Sequence, residues 1–206
     1  MTEPQSEKRS DSQALLRETE PKLILYLRMI AKHRVQMRAD TNSLAARESE
    51  AGRFASVEAF VLGLGEHTIS VPHIRDSLEP ATMRDCYRNA WDVALNEPNL
   101  IYTEGFAYSY GVGIEHAWLT DRITGDILDP TWAKVDSIHG IEPVAYEYMG
   151  IRFAAGFLTQ RVHQFQQFGI FTTIVNAKND LLRRGPTTEL LNPQRADLGV
   201  LVTGVA

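Results

Sequence analysis

Cys86 is the only cysteine in the chain, and it is followed by His116, in Glu115-His116-Ala117-Trp118, and by Asp129, in Asp129-Pro130-Thr131-Trp132. A thiol attacks as its thiolate, an imidazole can take up and return the proton, and a carboxylate can hold that imidazole in one tautomer. The three residue types in this order suit attack on an acyl carbonyl. The expectation is a cysteine-dependent acyl-transfer enzyme, a thiol hydrolase acting on an amide or ester bond through a thioester. The alternatives are an amine-accepting transferase or a non-catalytic binding or assembly protein.

The elements that must position these residues can be read around them. An unperturbed thiol, with a pKa of about 8.5, is only a few per cent thiolate near pH 7, so a nucleophilic cysteine needs positive potential nearby. Thr82 followed three positions later by Asp85 resembles an acidic capping box, which predicts a helix with Cys86 in its first turn and Ala90, Val93 and Ala94 on the same side. The positive end of that helix and a protonated His116 would both favour the thiolate, while the carboxylate of Asp85 works against it.

Residues 100 to 109 and 113 to 121 are rich in Tyr, Phe, Ile and Trp and predict two strands. Thr124-Gly125-Asp126 predicts a turn before a third strand over 127 to 131. Strand parity then decides whether His116 can meet Asp129. With an even-length loop such as 122 to 125, Asp129 falls opposite Trp118 and on the face of His116, whereas an odd-length loop puts the two on opposite faces.

Other readings of the same residues exist. A lone cysteine also serves as a small core residue, His116 could pack structurally beside Trp118, and Asp129-Pro130 could be a turn cap. Trp91, Trp118 and Trp132 suit a core. Glu104, His116, Asp129 and His139 include metal-ligand types, but no HxxxH or HExxH spacing supports a metal, and none is predicted. His33, His67, His73 and His163 are scattered polar positions. Gly63-Leu64-Gly65 stops short of a phosphate-binding glycine pattern, so no cofactor is expected.

The remaining chain frames this core. Residues 1 to 10 are polar and predicted disordered, and residues 12 to 20 predict a short helix ending near Pro21. A second helix with Leu23, Leu27 and Ile30 on one face would make a helical hairpin. Phe54, Val57, Val61 and Leu64 recur at helical spacing before Gly65. A fourth strand is expected over 144 to 148, ended by Gly150. Helices are expected over 153 to 168 and 171 to 183, with coil or an edge strand beyond Pro186. The fold class is α+β: a helical N-terminal extension over 1–65, a core over 66–185 and a tail over 186–206.

Composition bounds the partners. The chain has 206 residues, 44% hydrophobic and 23% charged, with a formal charge of -5 and a pI near 5.7, which gives no net attraction to nucleic acid. One cysteine allows no intrachain disulfide, and no apolar run reaches a bilayer-spanning length, so a soluble cytoplasmic protein without membrane partners is expected. The N-terminal helices could mediate self-association.

At Cys86-Tyr87-Arg88-Asn89-Ala90, Tyr102-Thr103-Glu104-Gly105-Phe106-Ala107, His116-Ala117-Trp118 and Asp129-Pro130-Thr131-Trp132, the sequence resembles the transglutaminase-like branch of the papain-like cysteine enzymes. The resemblance covers about residues 80 to 152, with Tyr148-Met149-Gly150-Ile151 as a weaker tail. It implies an antiparallel sheet packed on the cysteine-bearing helix, with Cys86 as nucleophile, His116 as base and Asp129 orienting His116. It also implies an acyl substrate that is a peptide, a protein or a small molecule. One departure stands out: papain-like proteases carry an oxyanion-binding glutamine shortly before the cysteine, and no glutamine occurs between Gln36 and Gln160. The backbone N–H of Cys86 is the alternative donor, with Asn89, Tyr102 or Trp118 beside it, and Glu104 is expected to line the groove.

Overall fold

The computed structural model describes residues 20–41, 52–73, 82, 84–142, 144–174, 177 and 179–191. The disorder expected for 1 to 10 and all but the last residue of the helix expected over 12 to 20 lie outside these residues. The chain is α+β. Helices α1 (Lys22–Thr41) and α2 (Val57–Leu64) lead to strand β1 (Glu66–Ser70) and helix α3 (Cys86–Asn96). Strands β2 (Leu100–Ser109), β3 (Val112–Asp121) and β4 (Ile127–Leu128) follow, then helix α4 (Pro130–His139), strand β5 (Tyr146–Arg152) and helices α5 (Ala155–Phe165), α6 (Asp180–Arg184) and α7 (Thr188–Leu191). The five strands form one antiparallel sheet in the order β1-β5-β2-β3-β4.

Local chemistry accounts for the boundaries. Pro21 precedes α1, and the first helical amides, Lys22 N and Leu23 N, donate to the Glu147 carboxylate of β5 at 3.2 and 2.9 Å. A helix start is thereby tied to the sheet by a charge of the favourable sign. Ser56 caps α2 by accepting from Ala59 N. Tyr110 and Gly111, at φ +48° and +89°, make the tight turn between β2 and β3, whose paired left-handed residues match the twist of a hairpin.

One face of the sheet carries Leu100, Tyr102, Phe106, Ala117, Leu119, Met149 and Ile151 into an apolar cluster with Ala90, Phe153, Leu158, Ile170 and Phe171. Leu23, Leu27, Phe60 and Val61 belong to the same cluster, so α1 and α2 share the core of the sheet. The other face holds Ala107, Trp118, Ile127, Tyr146 and Tyr148, with Trp132 of α4 against them. Among the described residues no helix is long and apolar enough to cross a membrane.

Several boundaries differ from the sequence reading. β1 was not anticipated: as an edge strand with little burial, it lacks the alternating pattern that marks a half-buried strand. β4 stops at Leu128 instead of running to residue 131, because Asp129 caps α4 with Pro130 in the first helical turn. β5 runs through Gly150. That glycine is a packing requirement and not a terminator: a Cβ there would lie 2.5 Å from Trp118 Cη2.

Within the helix expected over 171 to 183, residues 171 to 174, 177 and 179 are turns, and helix begins only with α6 at Asp180. Thr172, Thr173 and Ile174 are β-branched, and Gly169 and Asn179 sit at φ +90° and +54°. Gln166, at φ +53°, ends α5 before residue 168. Beyond Pro186 the described residues contain the short helix α7.

Gly105 pairs with His116 on one side and Gly150 on the other, and a Cβ on it would lie 2.1 Å from Met149 O. Replacing Gly105 by alanine is therefore expected to lower stability by about 2 kcal/mol or more in urea unfolding, through overpacking against rigid backbone. Gly156→Ala, where nothing lies within 4 Å, is expected to raise it by about 0.5 kcal/mol by restricting the unfolded chain.

Candidate active site

Cys86 is the first residue of α3 and is partly exposed. The expected capping box does not form. Asp85 is the N-cap, and its side chain makes no capping bond. Arg84, just ahead of it, is at φ +65°, an uncommon conformation for a residue with a side chain.

His116 lies buried on β3, its ring stacked on Trp132 at 4.8 Å and flanked by Trp118 at 6.3 Å. Its Nε2 is 2.7 Å from Asp129 Oδ2, and the side chain of Cys86 is close enough to the same ring to raise its pKa. The sheet register explains the meeting. Leu119 pairs with Leu128 and Thr120 with Ile127. Continuing by one residue puts Asp129 opposite Trp118, and Asp121 N bonded to Asp126 O leaves the four-residue loop 122–125 that the parity argument requires.

Asp129 is fully buried and both carboxylate oxygens are occupied. Oδ1 accepts from Thr131 N at 3.1 Å and Trp132 N at 3.0 Å, capping α4, and Oδ2 accepts from His116 and from Tyr148 Oη at 3.1 Å. Cap and imidazole partner are thus the same group. Burial alone would lower the pKa of His116. The charge and hydrogen bond of Asp129 oppose this, the sulfur of Cys86 adds to them, and together they raise it to about 10.

The other candidates lie elsewhere. Asn89 is buried and fully engaged. Its Oδ1 accepts from Thr82 N at 2.9 Å, and its Nδ2 donates to Thr82 O at 2.6 Å and Thr131 Oγ1 at 2.9 Å. It staples the approach to α3 onto α4 and has no donor free for an oxyanion. Tyr102 is buried with its hydroxyl donated to Glu104 at 2.7 Å, and Trp118 packs between His116 and Tyr148.

Glu104 does not line a groove: it is mid-strand with no exposed surface, and it accepts from Ile170 N and Phe171 N at 2.7 Å each. Burial raises its pKa to about 7 against those bonds. His139 ends α4 at the helix terminus remote from Asp129. Among the described residues no three His, Cys, Asp or Glu side chains are grouped to hold a metal ion.

Tyr148 and Trp132, which complete the surroundings of the pair, were not singled out as site residues. For Tyr148 the signal is strand parity, since Tyr146 and Tyr148 alternate onto the face that Trp118 and His116 occupy. An apolar cavity of about 280 Å³, lined in part by Ala94, Leu95, Phe153 and Gly156, opens at the far end of α3. It lies roughly 12 Å along the helix from Cys86 at 1.5 Å per residue and is separate from the thiol.

Compared with protein-family models, curated proteins and solved structures, the chain matches none.

Because the folded-state pKa of His116 stands above the unfolded value of 6.5, the proton on the ring stabilises the native state fully below about pH 6.5. That stabilisation is lost as pH rises toward 10. Urea midpoints are expected to fall across this window, and the same series on Asp129→Asn is expected to show a flatter dependence and a lower midpoint at its acid end. A midpoint in the native protein that does not change across the window would contradict the imidazolium–carboxylate pair.

Proposed function

We propose that the chain is a cysteine-dependent acyl-transfer enzyme on a papain/transglutaminase-like core, acting on an amide or ester of a peptide, protein or small molecule. The observation that carries this reading is the buried imidazole of His116, with Nε2 2.7 Å from the Asp129 carboxylate and the Cys86 side chain near enough to raise its pKa. A helix that begins at the cysteine and packs on an antiparallel sheet carrying the histidine is the arrangement such a core calls for.

The sulfur anion of Cys86 attacks the carbonyl carbon, forming a C–S bond and a tetrahedral oxyanion. Collapse breaks the C–N or C–O bond, and the imidazolium of His116 gives its proton to the departing amine or alcohol. A water then attacks the thioester, His116 takes the water's proton, and the C–S bond breaks to release the acid and regenerate the sulfur anion. An amine in place of water would give transfer from the same intermediate.

Asp129 stays ionised throughout and fixes the ring. With Asn89 engaged elsewhere, the first-turn amides of α3 supply the donors for the oxyanion. These amides have no intrahelical acceptor, and Asp85 does not cap them with its side chain.

Incubation with a panel of activated acyl esters and amides, read by intact-protein and peptide mass spectrometry, is expected to give a thioester on Cys86 and none in Cys86→Ala. His116→Ala is expected to slow its formation by about a hundredfold or more, the usual scale of a positioned acid–base group. Equal acylation of native protein and Cys86→Ala would overturn the proposal.

A further inference from the structure

A carboxylate in the middle of a strand, facing an apolar core, is costly unless both of its oxygens are hydrogen-bonded. Glu104 meets that condition in a particular way. Oε2 accepts from Ile170 N and from Tyr102 Oη, and Oε1 accepts from Phe171 N, all at 2.7 Å. Two successive backbone N–H groups held by two oxygens of one side chain is a fit that only an acceptor-only, two-oxygen group provides. The residues so fixed are 66 and 67 positions away in sequence, so the contact joins β2 to a distant turn.

That turn braces itself and lies on α3. Thr172 Oγ1 donates to Phe168 O at 2.6 Å, and Thr173 Oγ1 to Ile170 O at 2.9 Å. Gly169, at φ +90°, lies so close to the residue after Cys86 that a Cβ on it would be 3.0 Å from Tyr87 Cδ1. The ring of Phe168 sits edge-on to Trp91 at 5.2 Å and under the guanidinium of Arg88 at 5.6 Å. α3 is therefore held between the sheet, through Ala90 and Ala94, and a turn that Glu104 anchors to the same sheet.

We infer that Glu104 is a positioning residue for the proposed reaction: through the turn of residues 168–171 it clamps α3 so that the Cys86 sulfur stays on the ring of His116. The consequence for catalysis rests on the acyl-transfer reading, whereas the clamp itself does not. Glu104→Gln is the discriminating variant, because it preserves size but turns an NH₂ toward one of the backbone N–H donors.

Amide exchange, the titration of the His116 ring by NMR and acyl-adduct formation are measured together on native and variant protein. In folded Glu104→Gln, exchange at Ile170 and Phe171 is expected to accelerate. The His116 midpoint is expected to drop by about one unit as the sulfur leaves the ring, and adduct formation to slow by about tenfold. A merely structural role would speed exchange without moving the His116 midpoint, and that result would overturn the inference.

If Glu104→Gln does not fold, Gly169→Ala, which leaves the carboxylate intact but pushes the turn against Tyr87, is expected to lower the same midpoint. An unchanged midpoint there overturns the inference equally. A native protein that forms no adduct while the midpoint still drops in the variant would refute the acyl-transfer reading and leave the clamp standing. An active native protein with an equally active variant and an unchanged midpoint would refute the clamp alone.

Discussion

The carboxylate of Asp129 is the point on which the described structure turns. It is buried without access to water, so each of its lone pairs must find a donor inside the protein. The four donors come from three separate elements: His116 from β3, Tyr148 from β5, and the backbone of Thr131 and Trp132 from α4. Asp129 N, moreover, donates to His73 O, which brings the chain leaving β1 to the same place. A group that joins so many parts of the fold fixes the histidine ring more firmly than a single ion pair could, and the stacked faces of Trp132 and Trp118 close off its sides.

The sheet is built to leave room for this arrangement. Gly105 and Gly150 sit opposite one another, next to His116 and beneath the edge of Trp118, where a side chain on either would collide with neighbouring backbone or ring. On the opposite face, Glu104 is the only other fully buried carboxylate among the described residues, and it plays the complementary part by anchoring a turn against the cysteine-bearing helix. One acid holds the imidazole and the other holds the backing of the thiol.

Much of this was legible in the sequence because it follows from periodicity and local chemistry. The β2–β3 hairpin and the meeting of His116 with Asp129 come from the spacing of apolar residues and a loop of even length, and the helix at Cys86 forms although the capping box expected to start it does not. Asp129-Pro130 carried two messages, a helix cap and an imidazole partner, and treating these as competitors gave a strand too long by three residues. The placement of Glu104 was not legible, since its partners are backbone amides far along the chain that leave no mark in local sequence. Asn89 and Tyr102 misled for a related reason: a polar side chain near a nucleophile can be consumed by the frame that holds it. Gly150 was read through its conformational freedom, when the size of the Trp118 ring decided it.

The central claim, that one buried imidazole is shared between the thiol of Cys86 and the carboxylate of Asp129, is tested most directly by the rate of iodoacetamide alkylation of the folded protein near neutral pH. The account predicts rapid modification confined to Cys86, slowed in a folded His116→Ala variant. A thiol that is inert in the native protein, or one that reacts at the same rate with and without His116, would contradict it.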